Sequence, residues 1–343
     1  MATVQSKPPQ SQQLPAAKLA FQRLVTGWFR ENGLDYPWRQ TRDPYAILVS
    51  ELMLQQTQVA TVLGKRYFER WLERFPDPAT LANANEDDIL KAWEGLGYYR
   101  RARNLQQAAA VITRDLRGVF PRTATELEAL PGVGRYTAGA VATFAFNLPE
   151  PIVEANIARM LARLFDFDEA IDLPPGQRQL WSWAKALLPS KNARTYNSGL
   201  MELGQQVCTV RFPKCDACPV ASFCKTRRPS LLPTKKPRTN TVRLDEHVLY
   251  ARHAQRGILL RRETEKRREG LWKLPETRAV GPVLLTMPYS ITHHRVTLIV
   301  HQAVKLPAKP RKNERWVPFN ELDAVAMPSP YRRALEKLTA ALI

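Results

Sequence analysis

The spacing of hydrophobic residues divides the chain into a helical part and a smaller part with a different period. Between residues 16 and about 223 hydrophobic residues recur every three or four positions, as on one face of an α-helix. Thr123 followed by Glu126, and Asn85 followed by Asp88, have the form of capping boxes at helix starts. The pattern predicts helices at Ala17–Asn32, Pro44–Phe75, Glu86–Glu94, Arg101–Leu116, Arg135–Phe146, Ile157–Phe165, Gln177–Leu187 and Ala193–Val207.

After residue 243 the pattern changes to short runs typical of β-strands. It predicts strands at His247–Arg252, Gly257–Arg262, Val296–Val304 and Arg315–Pro318, and a closing helix at Tyr331–Leu342. We therefore expect a mainly α chain with a small α+β domain at its C-terminal end. The predicted domains are a disordered leader over 1–15, a helical domain over 16–224, a basic, extended and mobile linker over 225–243, and the α+β domain over 244–343.

The charge balance of the chain indicates the chemistry of its partner. Its 343 residues include 51 Lys and Arg against 32 Asp and Glu, a formal net charge of +19. Such a charge favours a polyanion, with nucleic acid first and an anionic membrane surface second. No hydrophobic run approaches the roughly 20 residues of a membrane-spanning helix, and the start of the chain lacks the hydrophobic segment of a signal peptide. We expect a cytoplasmic, nucleoid-associated protein without disulfides.

The four cysteines of the chain, Cys208, Cys215, Cys218 and Cys224, lie within one short, loop-rich stretch. Thiolates this close together repel one another, and a soft metal cation offsets the repulsion. The spacing therefore predicts a metal centre over residues 208–224. Zinc remains an alternative, although zinc modules usually contain two close Cys or His pairs and this stretch has one. Four free structural thiols are the other alternative.

A glycine-containing turn, Leu130-Pro131-Gly132-Val133-Gly134-Arg135, precedes a predicted helix that begins near Tyr136. Its glycines leave backbone N–H groups uncovered at the start of that helix, where a phosphate oxygen accepts hydrogen bonds without any reading of base sequence. We therefore predict phosphate contacts at Gly132, Gly134 and Arg135. The alternative is an ordinary turn between two packed helices.

Several longer motifs resemble, in their order along the chain, those of the adenine-specific mismatch DNA glycosylases, the MutY family. The matching runs are Pro37-Trp38-Arg39, Asp43-Pro44-Tyr45, Ser50-Glu51, Leu54-Gln55-Gln56-Thr57-Gln58-Val59, Gly95-Leu96-Gly97-Tyr98-Tyr99, Leu130–Thr137 and the cysteine spacing. The resemblance implies two helical subdomains of the helix-hairpin-helix type with a cleft between them, a [4Fe–4S] cluster in the 208–224 loop, and a Nudix-like lesion-recognition domain. It also implies a monomeric, monofunctional base excision repair enzyme that removes adenine opposite 8-oxoguanine or guanine in double-stranded DNA.

The implied reaction needs an acid for the departing base and a negative charge beside the sugar. Glu51 matches the family's acid, and it shares a helical face with hydrophobic residues, which raise the pKa of a carboxyl group. For the second carboxylate the family has Asp-Gly-Asn, whereas this chain has Glu154-Ala155-Asn156. We expect Glu154, near a helix N-terminus, to stay ionised and to take the aspartate's role from a shifted backbone. A capping role without catalysis is the alternative.

Other residues receive roles from the resemblance. Tyr136 stands where the related lyase-type glycosylases have Lys. A phenol cannot form a Schiff base, so we expect water as the nucleophile and little strand cleavage. Gln56 and Tyr98 match residues that enter the base stack beside the opposite guanine. The residues expected to line or brace the adenine pocket are Trp38, Arg39 and Asn156.

Two runs in the predicted C-terminal domain are similar to motifs of the same family. Gly270-Leu271-Trp272-Lys273-Leu274-Pro275 resembles Gly-Leu-Trp-x-x-Pro, and Ile291-Thr292-His293 resembles the Phe-Ser-His that reads 8-oxoguanine. We therefore expect Thr292 and His293 to contact the damaged base. The segment between the two runs leaves little room for the helix expected there, so discrimination of 8-oxoguanine is expected to be weaker. Because the sequence contains no Nudix box, nucleotide hydrolysis is not expected.

Two other functions remain open at this point. A glycosylase for another base, such as thymine opposite guanine, would share the fold, although the extended Gln-Gln-Thr-Gln run and the C-terminal domain argue against it. A mismatch- or lesion-binding protein with weak catalysis would follow from the presence of Glu154 in place of aspartate.

Overall fold

The structure, a computed structural model, describes residues 14–237, 240–265, 267–278 and 281–340. The predicted leader up to residue 13 and the last three residues of the chain lie outside this range. Contacts divide the chain into two compact units, each built from two stretches. The first unit comprises residues 1–51 and 120–237, and the second unit comprises residues 52–119 and 238–343. The C-terminal stretch therefore shares a compact unit with helical residues from the middle of the chain.

Helices make up most of the described chain as far as residue 206. In chain order they are α1 (Leu14–Asn32), α2 (Pro37–Gln40), α3 (Pro44–Leu54), α4 (Val59–Gly64), α5 (Tyr67–Arg74), α6 (Pro78–Ala82), α7 (Glu86–Ala92), α8 (Arg100–Ala110), α9 (Ala124–Glu128), α10 (Arg135–Phe146), α11 (Ala155–Leu164), α12 (Pro174–Leu187) and α13 (Ala193–Gln206). A π-helical turn, Val111–Asp115, continues α8. None of the helices in the described residues has the length and hydrophobicity needed to cross a membrane.

One predicted helix is wrong as a single element. Pro44–Phe75 is broken into α3, α4 and α5 because Gln56 and Arg66 have φ values of 56° and 50°, which a right-handed helix does not contain. The capping box at Thr123 is confirmed at the start of α9. Asn85 caps α7 by accepting a hydrogen bond from the backbone of Asp87, not by the expected box.

The core of the first unit lies where α11 packs against α12 and α13, and α13 against α1. The three- and four-residue spacing of Ile157, Leu161 and Leu164 brings all three side chains into this core. Burial of each such side chain contributes about 1.5–3 kcal/mol. The packing fixes the start of α11 beside α13, and both helices carry residues of the candidate site.

The predicted glycine turn joins α9 to α10, which pack against each other as a helix-hairpin-helix motif. Gly132 has a φ of 74°, which favours glycine at this point of the turn. Gly134 is the N-cap of α10 and supplies no side-chain cap, and both glycines are exposed. The start of α10 therefore has no side-chain cap, as at helix ends that bind an external acceptor.

The C-terminal stretch of the second unit has the predicted α+β character. Its strands are β1 (Val242–Tyr250), β2 (Arg252–His253), β3 (Gly257–Arg262), β4 (Trp272–Lys273), β5 (Val283–Ile291), β6 (His294–Gln302) and β7 (Glu314–Val317), and its helix is α14 (Ser329–Ala340). In one sheet β6 lies between β1, to which it is parallel, and β5, to which it is antiparallel. In the other sheet β3 pairs with β2, β4 and β7, all antiparallel.

β5 is not predicted by the sequence pattern, and it occupies the segment that leaves little room for a helix. The strand contains Pro288, and a proline within a run argues against a central strand because it lacks a backbone N–H. The structure places β5 at the edge of its sheet, where one side of the strand needs no ladder bonds. Its ninth residue, Ile291, begins the tight turn that carries Thr292 and His293.

Residues 52–119 are held to the C-terminal stretch by specific contacts within the second unit. Arg332 of α14 forms an ion pair with Glu94 at 2.8 Å, and both side chains are largely buried. The Tyr99 hydroxyl donates to the backbone oxygen of Met327 at 3.2 Å. The Arg103 side chain donates to the backbone oxygen of Glu269. These contacts join segments that are more than 150 positions apart.

The first part of the expected linker, residues 225–236, packs against the rest of the first unit. The backbone N–H of Lys225 donates to Leu164 O at 3.0 Å, and Thr234 O accepts from the N–H of Ile171 at 3.0 Å. Leu232 is buried, and its backbone oxygen accepts from Arg163 Nε at 3.0 Å. The segment is rich in proline and basic residues, a composition that argues against packing. The buried Leu232 and the backbone hydrogen bonds nevertheless hold it on the first unit.

Candidate active site

Glu51 is a buried carboxyl group near the end of α3. Glu51 is 6% exposed, and its Oε2 accepts a 2.8 Å hydrogen bond from the Tyr136 hydroxyl. Burial raises the pKa of Glu51 to about 7, and the charge of Glu154 acts in the same direction. The hydrogen bond from Tyr136 and the charge of Arg39 lower that pKa and oppose the effect. The expected rise in the pKa of Glu51 is confirmed, so at neutral pH the group is close to half-protonated.

Tyr136 reaches this carboxyl group from the first turn of α10, directly after the glycine turn. Burial raises its pKa well above the usual value, and the neighbouring Glu51 and Glu154 raise it further. The phenol is therefore neutral and acts as a hydrogen-bond donor. Through this residue, the helix that starts at the hairpin also forms one wall of the buried carboxyl site.

Glu154 is the N-cap of α11. Its two carboxylate oxygens accept 2.7 Å hydrogen bonds from the backbone N–H groups of Asn156 and Ile157. Burial raises the pKa of Glu154, while these hydrogen bonds and Arg159 lower it. The backbone N–H groups at the helix start favour the ionised form, as expected, but burial is the larger effect and leaves the pKa of Glu154 above its usual value. The capping interpretation is correct as geometry, and it leaves the carboxylate within electrostatic reach of Glu51.

Asn156 is fixed by a short chain of hydrogen bonds that ends at the cysteine loop. Its Oδ1 accepts from Arg159 Nη2 at 2.8 Å, and Arg159 Nε donates to the backbone oxygen of Cys208 at 2.8 Å. Gly204 of α13 approaches Asn156 so closely that a Cβ at position 204 would lie 2.6 Å from the Asn156 Cβ. A side chain at that position would push the start of α11 away.

An ion pair between Arg39 and Glu202, which the sequence pattern does not predict, lies beside this site. Arg39 Nη1 is 2.6 Å from Glu202 Oε2, and Glu202 is completely buried on α13. The Arg39 guanidinium also lies 4.7 Å from the centre of the Tyr36 ring, on which Trp38 stacks at 5.1 Å. The signal in the sequence is the spacing of Glu202, which lies four positions after the small Ser198 and therefore on the same helix face. Both residues are buried. Trp38 and Arg39 therefore belong to one packed group.

The four cysteines converge in the first unit. Burial raises the pKa of Cys218, and the other three thiols raise it further, so all three lie within electrostatic reach of Cys218. Arg163 is 1% exposed and donates from Nη1 to Cys208 Sγ at 3.3 Å. Among the described residues, no three Cys, His, Asp or Glu side chains are arranged to hold a single metal ion.

The remaining predicted residues lie on exposed turns. Arg135 stacks over the Trp181 ring at 3.9 Å in the first unit. Gln56, Tyr98, Thr292 and His293 are exposed and belong to the second unit. Thr292 has a φ of 53°, a strained conformation for a β-branched residue.

Comparison with known proteins relates the chain to DNA repair proteins. Residues 49–185 match the model of the HhH-GPD superfamily base excision DNA repair proteins. The adenine DNA glycosylase of Mycolicibacterium smegmatis (strain ATCC 700084 / mc(2)155) is 41% identical over 204 residues, which cover 59% of this chain and 68% of the relative. The adenine DNA glycosylase of Homo sapiens is 41% identical over 222 residues, 61% of this chain and 40% of the relative. The chain thus spans well under two thirds of the human relative's length.

Two solved structures resemble the chain. A thermostable thymine-DNA glycosylase has a TM-score of 0.56 and 30% identity, over 61% of this chain and 96% of that protein. An endonuclease III in a covalent complex with DNA has a TM-score of 0.51 and 23% identity, over 61% of this chain and 95% of that protein. The second likeness concerns the fold alone.

Proposed function

We propose, from the premise that this chain belongs to the family of adenine DNA glycosylases, that it hydrolyses the N-glycosidic bond of adenine paired with 8-oxoguanine or guanine in DNA. The observation that carries the proposal is the buried Glu51 carboxyl group, held by Tyr136 and with a pKa of about 7. Such a group supplies a proton at neutral pH, whereas an exposed glutamate does not.

The residues of the first unit account for each part of the reaction. An adenine inside a duplex has to leave the base stack before an enzyme reaches its glycosidic bond. Protonated Glu51 then donates its proton to a ring nitrogen of the base as the bond breaks, and the bonding electron pair leaves with adenine. The Glu154 carboxylate stabilises the positive charge that develops on the sugar. The oxygen of a water molecule bonds to the sugar carbon, and one proton of that water passes to the Glu51 carboxylate.

Tyr136 defines the second half of the mechanism. It provides a phenol where a lyase would need an amine, so no Schiff base to the sugar forms and the product is an abasic site. We therefore infer base removal without strand cleavage. Trapping of the unaltered protein on DNA by borohydride would contradict this step.

Contacts to DNA are proposed for four exposed turns. The hairpin at Gly132, Gly134 and Arg135 is proposed to bind a phosphate at the start of α10, which has no side-chain cap, and this contact positions the protein without reading sequence. Gln56 and Tyr98 are proposed to fill the space left by the extruded base. The mixed sheet and closing helix of the C-terminal stretch support a Nudix-like domain, whose β5–β6 turn carries the Thr292 and His293 proposed to contact 8-oxoguanine.

We further propose that the four cysteines hold a [4Fe–4S] cluster. Three thiols within electrostatic reach of Cys218, with a guanidinium beside Cys208, support a cofactor that is held by four thiolates and carries net negative charge. Cys208, Cys215, Cys218 and Cys224 would hold it, and when bound it supplies a rigid cross-link of the loop. Equal amounts of iron and acid-labile sulfide, about four of each per chain, are expected, whereas one zinc per chain would contradict this.

The proposed function is tested by single-turnover base release from duplexes that contain A·8-oxoguanine, A·G, A·T and T·G pairs. We expect release of adenine from the first two only. Glu51→Gln should lose this release while it keeps its affinity for the duplex. Because a thymine-DNA glycosylase shares this fold, thymine release from T·G is the outcome that would replace our proposal. Tight binding of the mismatched duplex without any release of base would instead indicate the alternative function, a mismatch- or lesion-binding protein.

A further inference from the structure

Two exposed residues of the second unit have a left-handed backbone conformation. Gln56, in the turn after α3, has a φ of 56°, and Tyr98, in the turn before α8, has a φ of 48°. Tyr98 is 50% exposed. For residues other than glycine this conformation costs about 1–2 kcal/mol each. It persists only where the surrounding structure holds it in place.

One buried side chain, Arg101, joins these two turns. It lies in the first turn of α8 and is 7% exposed. Its guanidinium donates to five backbone oxygens and one hydroxyl, at Leu52 O (2.6 Å), Met53 O (3.0 Å), Gln55 O (2.5 Å), Leu96 O (2.9 Å), Gly97 O (3.0 Å) and Thr57 Oγ1 (3.2 Å). These acceptors flank Gln56 on both sides and immediately precede Tyr98.

The charge of Arg101 is balanced by these oxygens. Among the described residues, its Nε has no hydrogen-bond partner, and no carboxylate influences its pKa. Burial lowers the pKa of Arg101 to about 10, which still leaves the group charged at neutral pH. The carbonyls at the end of α3 suit a cation because they form the negative end of the helix dipole. The solvation of this buried cation therefore depends on the shape of both turns.

We propose that Arg101 is a positioning residue that holds Gln56 and Tyr98 in the conformations with which they engage the mispair. This rests on the proposed function, in which those two side chains enter the base stack. Because the two turns are ordered before DNA arrives, binding energy is not spent on ordering them. A lysine cannot substitute, since its single ammonium has three donors and lacks the planar fork that reaches six acceptors.

The first test uses Arg101→Met, with Arg100→Met as the matched control. Arg100 is the exposed neighbour on α8, so its replacement removes the same charge without touching the two turns. Duplexes carry 2-aminopurine at the target position to report unstacking, or adenine to report single-turnover release. We expect Arg101→Met to lose most of the fluorescence gain and to slow release by about 10- to 100-fold, since a misplacement near 1 Å costs on the order of a hundredfold. The control should stay within about twofold.

The second test separates positioning from a merely structural role. In a Gln56→Ala, Tyr98→Ala background the side chains to be positioned are absent, so adding Arg101→Met should cost less than about twofold further. An undiminished loss in that background overturns the proposal. If Arg101→Met does not fold, Arg101→Lys is carried through the same cycle. Absence of base release by the unaltered chain would refute the proposed function, while the fluorescence cycle would still decide the role of Arg101.

Discussion

At the scale of single residues, the Glu51 and Tyr136 pair sets the expected pH dependence. The active form of Glu51 is the protonated acid, and its pKa is raised to about 7. The single-turnover rate of base release should therefore be constant well below pH 7 and fall about tenfold per pH unit well above it. A rate that rises through this range would show that the ionised form is the active one.

Replacement of Tyr136 by Phe gives a sharper version of the same test. The hydrogen bond from the phenol lowers the pKa of Glu51, so its removal should raise that pKa. The inflection of the pH–rate profile of Tyr136→Phe should move to higher pH, whatever happens to the maximal rate. The position of the inflection is the measurement, and a shift to lower pH would contradict the assigned hydrogen bond.

Glu154 combines a capping role with a proposed electrostatic role, and two substitutions separate them. Glu154→Gln keeps an acceptor oxygen for only one of the two N–H groups of α11, so the free energy of unfolding should fall by about 1 kcal/mol, whereas its rate of base release should fall by about a hundredfold or more. Glu154→Asp keeps the charge and is expected to retain release. Full activity of Glu154→Gln, measured under single-turnover conditions, would leave Glu154 with capping alone.

At the scale of elements, Arg163 of α11 ties the cysteine loop to the segment that follows it. It donates to Thr209 O at 2.7 Å, to Val210 O at 3.0 Å and to Leu232 O at 3.0 Å. Arg163→Met leaves these three acceptors, of which Leu232 O is buried, without a charged donor, and we expect a loss of about 3 kcal/mol in the free energy of unfolding. Urea denaturation measures this, and the exposed Arg211→Met in the same loop is the control. Equal stability of the two variants would contradict the role of Arg163.

At the scale of the whole molecule, the two compact units do not follow the contiguous domains that the sequence predicts. Residues 52–119 share a unit with the C-terminal stretch, through contacts such as the Arg332–Glu94 ion pair. A chain ending at Pro237 should therefore unfold at a temperature more than about 5 °C below that of the full chain, because part of its packing is lost. Thermal unfolding followed by circular dichroism checks this. An unchanged transition temperature would mean that the C-terminal stretch is an independent domain.

Local sequence signals predicted the elements whose cause is itself local. The helix over Arg135–Phe146, the strand over Gly257–Arg262 and the capping box at Thr123 all follow from residue spacing within a few positions. The break of Pro44–Phe75 at Gln56 was not predictable in this way. It depends on Arg101, some 45 positions later, whose guanidinium holds the turn.

By itself the sequence determined which faces are hydrophobic, where the hairpin glycines fall, and that four thiols share one loop, because periodicity and short spacing depend only on neighbours along the chain. Only the tertiary structure decided that Tyr136 lies against Glu51 across 85 positions, and that Glu202 pairs with Arg39. Those contacts arise from helix packing and from the need of each buried charge for a partner. The pKa of Glu51 is set by that same packing.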